Sequence, residues 1–471
     1  MLDLREWLEK LEGMGVLKVI KGIHWDLEIG AVREEERRLP DVVAGGGGRR
    51  AFLFDDIVGY PSGYRVVINT VPNPRQAALC MGVPETDSLL ELNQALRQKL
   101  KVWEAALGKF NPNVVKTGPV MENVDSGEDV DLFKFPIPKW YPLDVGRYIG
   151  PGDAVITRDP DTGEINFGMY RVQIHDKKTM GNWISPGHHG RLHREKYHAR
   201  GEACPVAISI GHHPLISTIS CHAVPFGTEY NLLGAISGEP VSVIKEEITG
   251  LPIPAASEIV IVGWCPANKT RIEGPFGEWT GYYSQFGETP FIEVERVYYR
   301  NNPIIEGGMG VPLFSAMLLN HLERCGVPDV RGVWTSDFAC ATWIVVSIKQ
   351  RYGGHARQAA LVASQAPLGG TGGAYHGRYV IVVDDDIDPT NIREVLWAIC
   401  TRSDPAKDIE ILHRLWSTPL DPTIFRPTPD FNDFTSSRAI IDACRPFEWM
   451  DKFAKVIEWS PELLERVRQK L

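Results

Sequence analysis

Residues Arg271-Ile272-Glu273-Gly274-Pro275-Phe276-Gly277-Glu278-Trp279-Thr280-Gly281-Tyr282-Tyr283 carry two carboxylates five positions apart across a stiff bend. Glycines tolerate positive φ and Pro275 presets its own, so Glu273 and Glu278 cannot share a long regular helix. Two acids fixed by a turn point to acid/base chemistry.

Around this stretch, from Ala154 to about Arg300, the apolar runs are short and β-branched: Ala154 to Thr157, Met169 to Ile174, Val206 to Ile210, Glu258 to Gly263 and Phe291 to Tyr299. Turn signals separate them, and the pattern predicts a β-rich middle domain, a barrel or split barrel, over residues 116–312. Upstream, Leu4, Trp7, Leu8 and Leu11 recur at helical spacing with Gly13 or Gly15 as a stop. Strand signals at Val16 to Ile20, Ala51 to Phe54 and Tyr64 to Asn69 complete a small α/β domain over 1–115. The Pro-rich segment Pro112 to Pro151 reads as an extended crossing between the two. After Pro312, helical patterns (Ser315 to Arg324, His355 to Ser364, Asn391 to Thr401) alternate with strands (Thr342 to Ile348, Tyr379 to Val383), which predicts a third, α/β domain over 313–450. A last helix within 451–471 opens with Ser460 as N-cap and Pro461 at the first helical position. The fold class is therefore mixed α/β.

The 471 residues exceed one ordinary core, and a net charge of −10 excludes the basic stripe of a nucleic-acid binder. No run approaches the ~20 apolar residues that cross a bilayer, and the N-terminus lacks a signal-peptide layout, so a cytoplasmic protein is expected. Eight cysteines (80, 204, 221, 265, 325, 340, 400 and 444) form no C-x-x-C pair and read as reduced core thiols.

Eight of the thirteen histidines (175, 188, 189, 193, 198, 212, 213 and 222) fall within the middle domain, a clustering that favours a metal or anion site there. His189 and His193 have the i, i+4 spacing of a helical zinc clamp, without the glutamate of H-E-x-x-H. The run Asp384-Asp385-Asp386-Ile387-Asp388 either holds Mg²⁺ or Ca²⁺ or caps and solvates a βα turn. Glycines at 45–48 and 369–373 satisfy neither a phosphate loop nor G-x-G-x-x-G.

Asn166-Phe167-Gly168-Met169-Tyr170-Arg171 resembles the N-x-G-x-Y-R element of the UbiD-like reversible decarboxylases that use prenylated FMN. His188-His189, Gly227-Thr228-Glu229-Tyr230 and Glu273-Gly274-Pro275-Phe276-Gly277-Glu278 are similar to that family's further motifs, in the same order. The resemblance extends over nearly the whole chain. It implies a flavin-binding split barrel between an N-terminal domain and a C-terminal oligomerisation domain, and a homodimer or homohexamer.

Loss of CO₂ from an aromatic or heteroaromatic acid leaves an electron pair that no side chain can delocalise, so an organic electron sink is needed. The resemblance supplies prenylated FMN, delivered by a flavin prenyltransferase, with Asn166, Met169, Tyr170, Arg171, His188, His189 and Glu229 lining its site. Asn166, His189 and Glu229 match the ligands of Mn²⁺ or Mg²⁺, with His188 the alternative to His189, and K⁺ is implied near the carbonyls of Thr218 to Cys221 and Glu229. Arg171 and Glu273 are expected to hold the substrate carboxylate and Glu278 to protonate the carbon that loses CO₂. Arg171 lies five residues after Asn166, so on one strand the two point to opposite sides unless it bends. Two other readings stand beside this one: a flavin-independent zinc enzyme built on His188, His189 and His193, and a non-catalytic assembly subunit, against which an intact Arg171, Glu273 and Glu278 speak.

Overall fold

Helix Leu4–Gly13 forms because Asp3 accepts the Arg5 N–H at 2.7 Å and because Leu4, Trp7, Leu8 and Leu11 all fall on its buried side. Gly15, at φ +70°, turns the chain out of it. The computed structural model describes residues 2–38, 49–222, 224–308, 310–311, 313–335, 342–366, 376–424, 433–457 and 460–470, so both glycine runs lie largely outside it.

The first sheet has the order Leu17–Lys21, Ala51–Asp55, Arg65–Ile68 and Ile304–Gly307. Its last strand comes from within the 116–312 span that the sequence pattern assigns to the middle domain, and pairs in parallel with Arg65–Ile68. Glu306 on that strand is fully buried and accepts from the Thr70 hydroxyl (2.9 Å) and the Ser217 hydroxyl (3.2 Å).

The central sheet is antiparallel and curls into a half-barrel. Its path runs Arg147–Ile149, Arg171–Ile174, Thr179–Trp183, Gly287–Tyr299, Ile259–Cys265, Cys204–Ile210, Ala154–Arg158, Ile165–Gly168. The 13-residue strand Gly287–Tyr299 also pairs with Thr270–Glu273 and Asn123–Ser126, so it brings the strand that ends in Glu273 alongside the barrel. A bulge at Val262/Gly263 bends its other neighbour. Helices His189–Ala199, Pro214–Ser220 and Glu229–Ser237 pack against the strands at the opposite end of the path. A small sheet of Asn113–Val115, Ser242–Lys245 and Pro252–Pro254 lies beside it.

The third sheet, Val330–Thr335, Trp343–Ile348, Tyr379–Asp384, Thr435–Ala443 and Ile409–Trp416, is sandwiched by helices. Alternate residues of Trp343–Ile348 serve the two faces: Ile344, Val346 and Ile348 meet helices Phe314–Arg324 and His355–Ser364, while Val345 faces helix Ile392–Arg402. At the end of Tyr379–Asp384 the aspartate run is charge-paired. Asp384 accepts from Arg402 and Arg445 (3.0 Å each), Asp386 takes Arg402 through both oxygens at 2.8 Å, and Asp388 caps the Thr390 N–H. The run stands in the expected βα turn but does not cap the helix, which Asn391 does; two of its acids serve instead as ion-pair partners of Arg402 and Arg445. The last helix spans Pro461–Arg468 and is capped by Ser460. Among the described cysteines none is bonded to another. Cys80, Cys204, Cys265 and Cys444 are core thiols, Cys221 is half-buried, and Cys325, at the C-cap of Phe314–Arg324, and Cys400, within Ile392–Arg402, are exposed; Cys340 lies outside the described residues.

Candidate active site

The strand that carries Asn166 ends at Gly168, and Arg171 opens the next one after a break at Met169 and Tyr170. The break resolves the facing problem: Arg171 has its own strand, opposite Trp183, whose ring lies 4.5 Å from the guanidinium. Arg171 Nε and Nη2 donate to the two oxygens of Glu273 at 2.9 and 2.6 Å, and Nη1 donates to Glu278 Oε1. All three side chains are shielded from solvent, Glu273 at 1% and Glu278 at 10% exposure. Three of the five guanidinium N–H groups are engaged, which leaves two for an incoming carboxylate.

The bend between the acids is as tight as its sequence. Gly274 has φ +81°, and a Cβ there would stand 2.9 Å from the Gln285 carbonyl oxygen. A Cβ at Gly277 would stand 2.2 Å from the Tyr141 ring. Gln173, two residues after Arg171 and on the same face, accepts the Gly274 N–H at 3.1 Å. The Tyr148 hydroxyl lies 3.2 Å from both Gln173 Oε1 and Glu273 Oε1. Asp144 accepts the Gly277 N–H at 2.8 Å. Sequence reasoning passed over Tyr148, Asp144, Gln173 and Trp183; the only cue to any of them was the two-residue spacing of Gln173 from Arg171.

Charge in this cluster is unevenly held. Burial works against the Arg171 charge, but Glu273 and Glu278 outweigh it and raise its pKa. The Glu278 pKa is also raised, first by burial and then by Glu273 and Asp144, against the pull of Arg171. Glu278 is thus the acid that favours keeping a proton. Burial and then Glu273 push the Tyr148 hydroxyl far up, so it stays a donor.

The other predicted residues sit on and around the neighbouring strand pair. Asn166, opposite Thr157, is 4% exposed and its Nδ2 has no partner. The Met169 N–H donates to the Ser220 carbonyl at 2.9 Å. Gly168 and Gly190 make room for the buried Tyr170 ring, which meets His188 edge-on at 5.8 Å. His188 caps and His189 begins helix His189–Ala199, and burial lowers both pKa values, favouring the neutral imidazole. Glu229 opens its own helix, 2% exposed, and accepts the Phe167 N–H beside Asn166; burial lifts its pKa from 4.5 to about 8. The buried Glu229 carboxyl, a neutral imidazole and the Asn166 amide, which offers a metal its carbonyl oxygen, are the oxygen and nitrogen donor types that suit Mn²⁺ or Mg²⁺. The Thr218 carbonyl already accepts the His222 ring N–H (2.6 Å) and the Cys221 thiol (3.3 Å), and the Ser220 carbonyl accepts the Met169 N–H, so of the two only Ser220 keeps a lone pair for K⁺.

His193 has one ring nitrogen engaged, and its buried Nε2 makes no hydrogen bond. Its Nδ1 lies 3.0 Å from the Thr157 hydroxyl and burial lowers its pKa to about 4. Among the described residues no group of three or more His, Cys, Asp or Glu side chains gathers as a metal site, which removes the geometric basis of a zinc centre on His188, His189 and His193.

Residues 8–96, 113–312 and 308–443 match in turn the N-terminal, Rift-related and C-terminal domains of the 3-octaprenyl-4-hydroxybenzoate carboxy-lyase family, UbiD. A phenolic acid decarboxylase of Bacillus subtilis is 32% identical over 89% of this chain and 89% of its own length. A pyrrole-2-carboxylic acid decarboxylase of Pseudomonas aeruginosa is 31% identical over 86% of this chain and 84% of its own. Among solved structures, the UbiD-class enzyme HmfF from Pelotomaculum thermopropionicum in complex with FMN superposes with a TM-score of 0.84 at 27% identity, covering 99% of this chain and 100% of that one. An evolved dimeric form of it in complex with prFMN gives 0.81 at 27% identity over 99% and 98%.

Proposed function

We propose that this chain, which belongs to the UbiD family and is a carboxy-lyase, reversibly decarboxylates an aromatic or heteroaromatic acid, with Arg171 and Glu273 holding the carboxylate and Glu278 donating the proton. The observation that carries the reading is the Arg171 fork, paired with both acids and retaining two N–H groups.

The cofactor is prenylated FMN, which when bound supplies the sink for the electron pair that CO₂ leaves behind. Asn166, Met169, Tyr170, Arg171, His188, His189 and Glu229 would hold it, with Asn166, His189 and Glu229 ligating Mn²⁺ or Mg²⁺ and K⁺ beside Glu229. The chain's own part is orientation and proton delivery. The guanidinium fixes the substrate carboxylate in its plane, and Glu273, bound through both oxygens, keeps the fork from turning. Glu278, with one oxygen on Arg171, carries its proton to the carbon that loses CO₂ and recovers it in the reverse direction. We further propose that the protein works as a cytoplasmic homodimer or homohexamer supplied by a flavin prenyltransferase. Among the described residues no helix is long and apolar enough to cross a membrane.

The reading is tested by native mass and absorbance of protein produced with and without a flavin prenyltransferase. The expected result is a bound flavin heavier than FMN by one prenyl group only in the first sample; two colourless samples carrying zinc would overturn it. The metal assignment has its own readout. Because folding raises the proton affinity of Glu229, its contribution to stability is full below about pH 4.5 and is lost as the pH climbs toward about 8. Mn²⁺ added to metal-free protein at pH 8 should raise Tm by several degrees, about 4 °C per kcal/mol or less for a chain of this size. Glu229→Gln should lose most of that rise, as followed by differential scanning fluorimetry.

A further inference from the structure

The segment Tyr141–Tyr148 wraps the acid-bearing bend, held by four contacts to it and one bond within the segment. The Val145 N–H donates to the Pro275 carbonyl (3.3 Å), the Leu143 N–H to the Tyr283 hydroxyl (3.1 Å), and the Tyr148 ring lies 4.3 Å from that of Phe276. The other two contacts belong to Asp144. Its Oδ1 accepts the Gly277 N–H at 2.8 Å and its Oδ2 accepts the Tyr141 N–H at 2.9 Å, in a side chain from a residue only 3% exposed. Gly277 is the residue before Glu278. On the far side, the Glu278 N–H is held by the Tyr282 carbonyl at 2.9 Å, so Asp144 fixes the near end of the peptide that presents the acid.

Two backbone donors explain why an acceptor with two oxygens stands here, but a negative charge in this position has a further consequence. The charged and titratable groups facing Glu278 are Arg171, Glu273 and Asp144; those facing Asp144 are Lys139, Glu278 and Tyr148. The single guanidinium beside these acids is already divided between Glu273 and Glu278.

We propose that Asp144 is a positioning residue for the proton donor: its carboxylate anchors the Gly277 N–H so that Glu278 meets Arg171, and it adds a like charge beside that acid. The inference rests on the reading of Glu278 as the donor. Its sign is that of like charges, since a neighbouring anion makes ionisation of Glu278 harder. Asp144 is itself pushed up by burial to about 6, so it carries its charge at and above neutrality.

The test is the pH dependence of kcat in cofactor-loaded enzyme. Activity falls at high pH as Glu278 ionises, and in Asp144→Asn that fall should begin about one pH unit lower, with KM changed less than about 2-fold. A role confined to holding the backbone would lower kcat without moving this limb, and an unmoved limb overturns the proposal. If Asp144→Asn does not fold, Asp144→Ser keeps one acceptor for Gly277 and no charge, and it reads the same limb. In protein without cofactor, the infrared carboxyl band that Glu278→Gln removes should titrate at correspondingly lower pH in Asp144→Asn; an unchanged titration also overturns the proposal. Full turnover by Glu278→Gln would instead overturn the donor reading on which the inference rests.

Discussion

Arg171→Ala is expected to cut decarboxylation by at least ~10³-fold, the scale on which loss of a preorganised charge partner acts in a water-excluded site. The variant strips both buried acids of their cation and removes the two N–H groups left for substrate. Folding stability should fall by about 3 kcal/mol, because unpaired buried carboxylates must take up protons or draw in water. Arg171→Lys separates charge from geometry. An ammonium restores a point charge but cannot engage Glu273 through two parallel bonds while also reaching Glu278, so stability should recover more than turnover. Thermal melting beside steady-state CO₂ release reads both effects, and ordinary turnover in Arg171→Ala would eliminate the carboxylate clamp.

Glu278→Gln should leave fold and cofactor retention intact and lower turnover by ~10³-fold, within the range of general acid catalysis. The amide keeps the size and one acceptor oxygen for Arg171 but has no transferable proton. Exchange of the product's ring proton with deuterated solvent should be lost in parallel, since it uses the same carboxyl in both directions. A variant that exchanged normally while failing to release CO₂ would place the proton elsewhere.

The clustering of Arg171 with Glu273 and Glu278 was legible because they stand in short motifs whose glycines and proline admit few backbone paths: Glu273 and Glu278 flank a turn that leaves no room for a Cβ at Gly277. Some helices were legible from periodicity, with Leu4, Trp7, Leu8 and Leu11 buried as spaced and His355–Ser364 matching its predicted bounds, whereas Glu28–Arg37 and the 17-residue Leu89–Ala105 were not read. The support of the site was not. Asp144 and Tyr148 lie in a Pro-rich stretch that reads as a crossing, and nothing local to it says that two side chains turn inward to a bend more than a hundred residues away. The partner of Arg65–Ile68 was equally hidden, because alternation along a strand tells which face is buried and not which distant strand lies alongside.

That last pairing has a consequence for how the protein is made. A chain leaving the ribosome exposes Arg65–Ile68 as an open edge until Ile304–Gly307 has been synthesised, and at ~5–20 residues per second the wait is on the order of tens of seconds. During that time the edge offers unpaired N–H and C=O groups to any neighbouring nascent chain. A piece that stops short of Ile304 would therefore carry this sheet one strand short, with Arg65–Ile68 as its open edge.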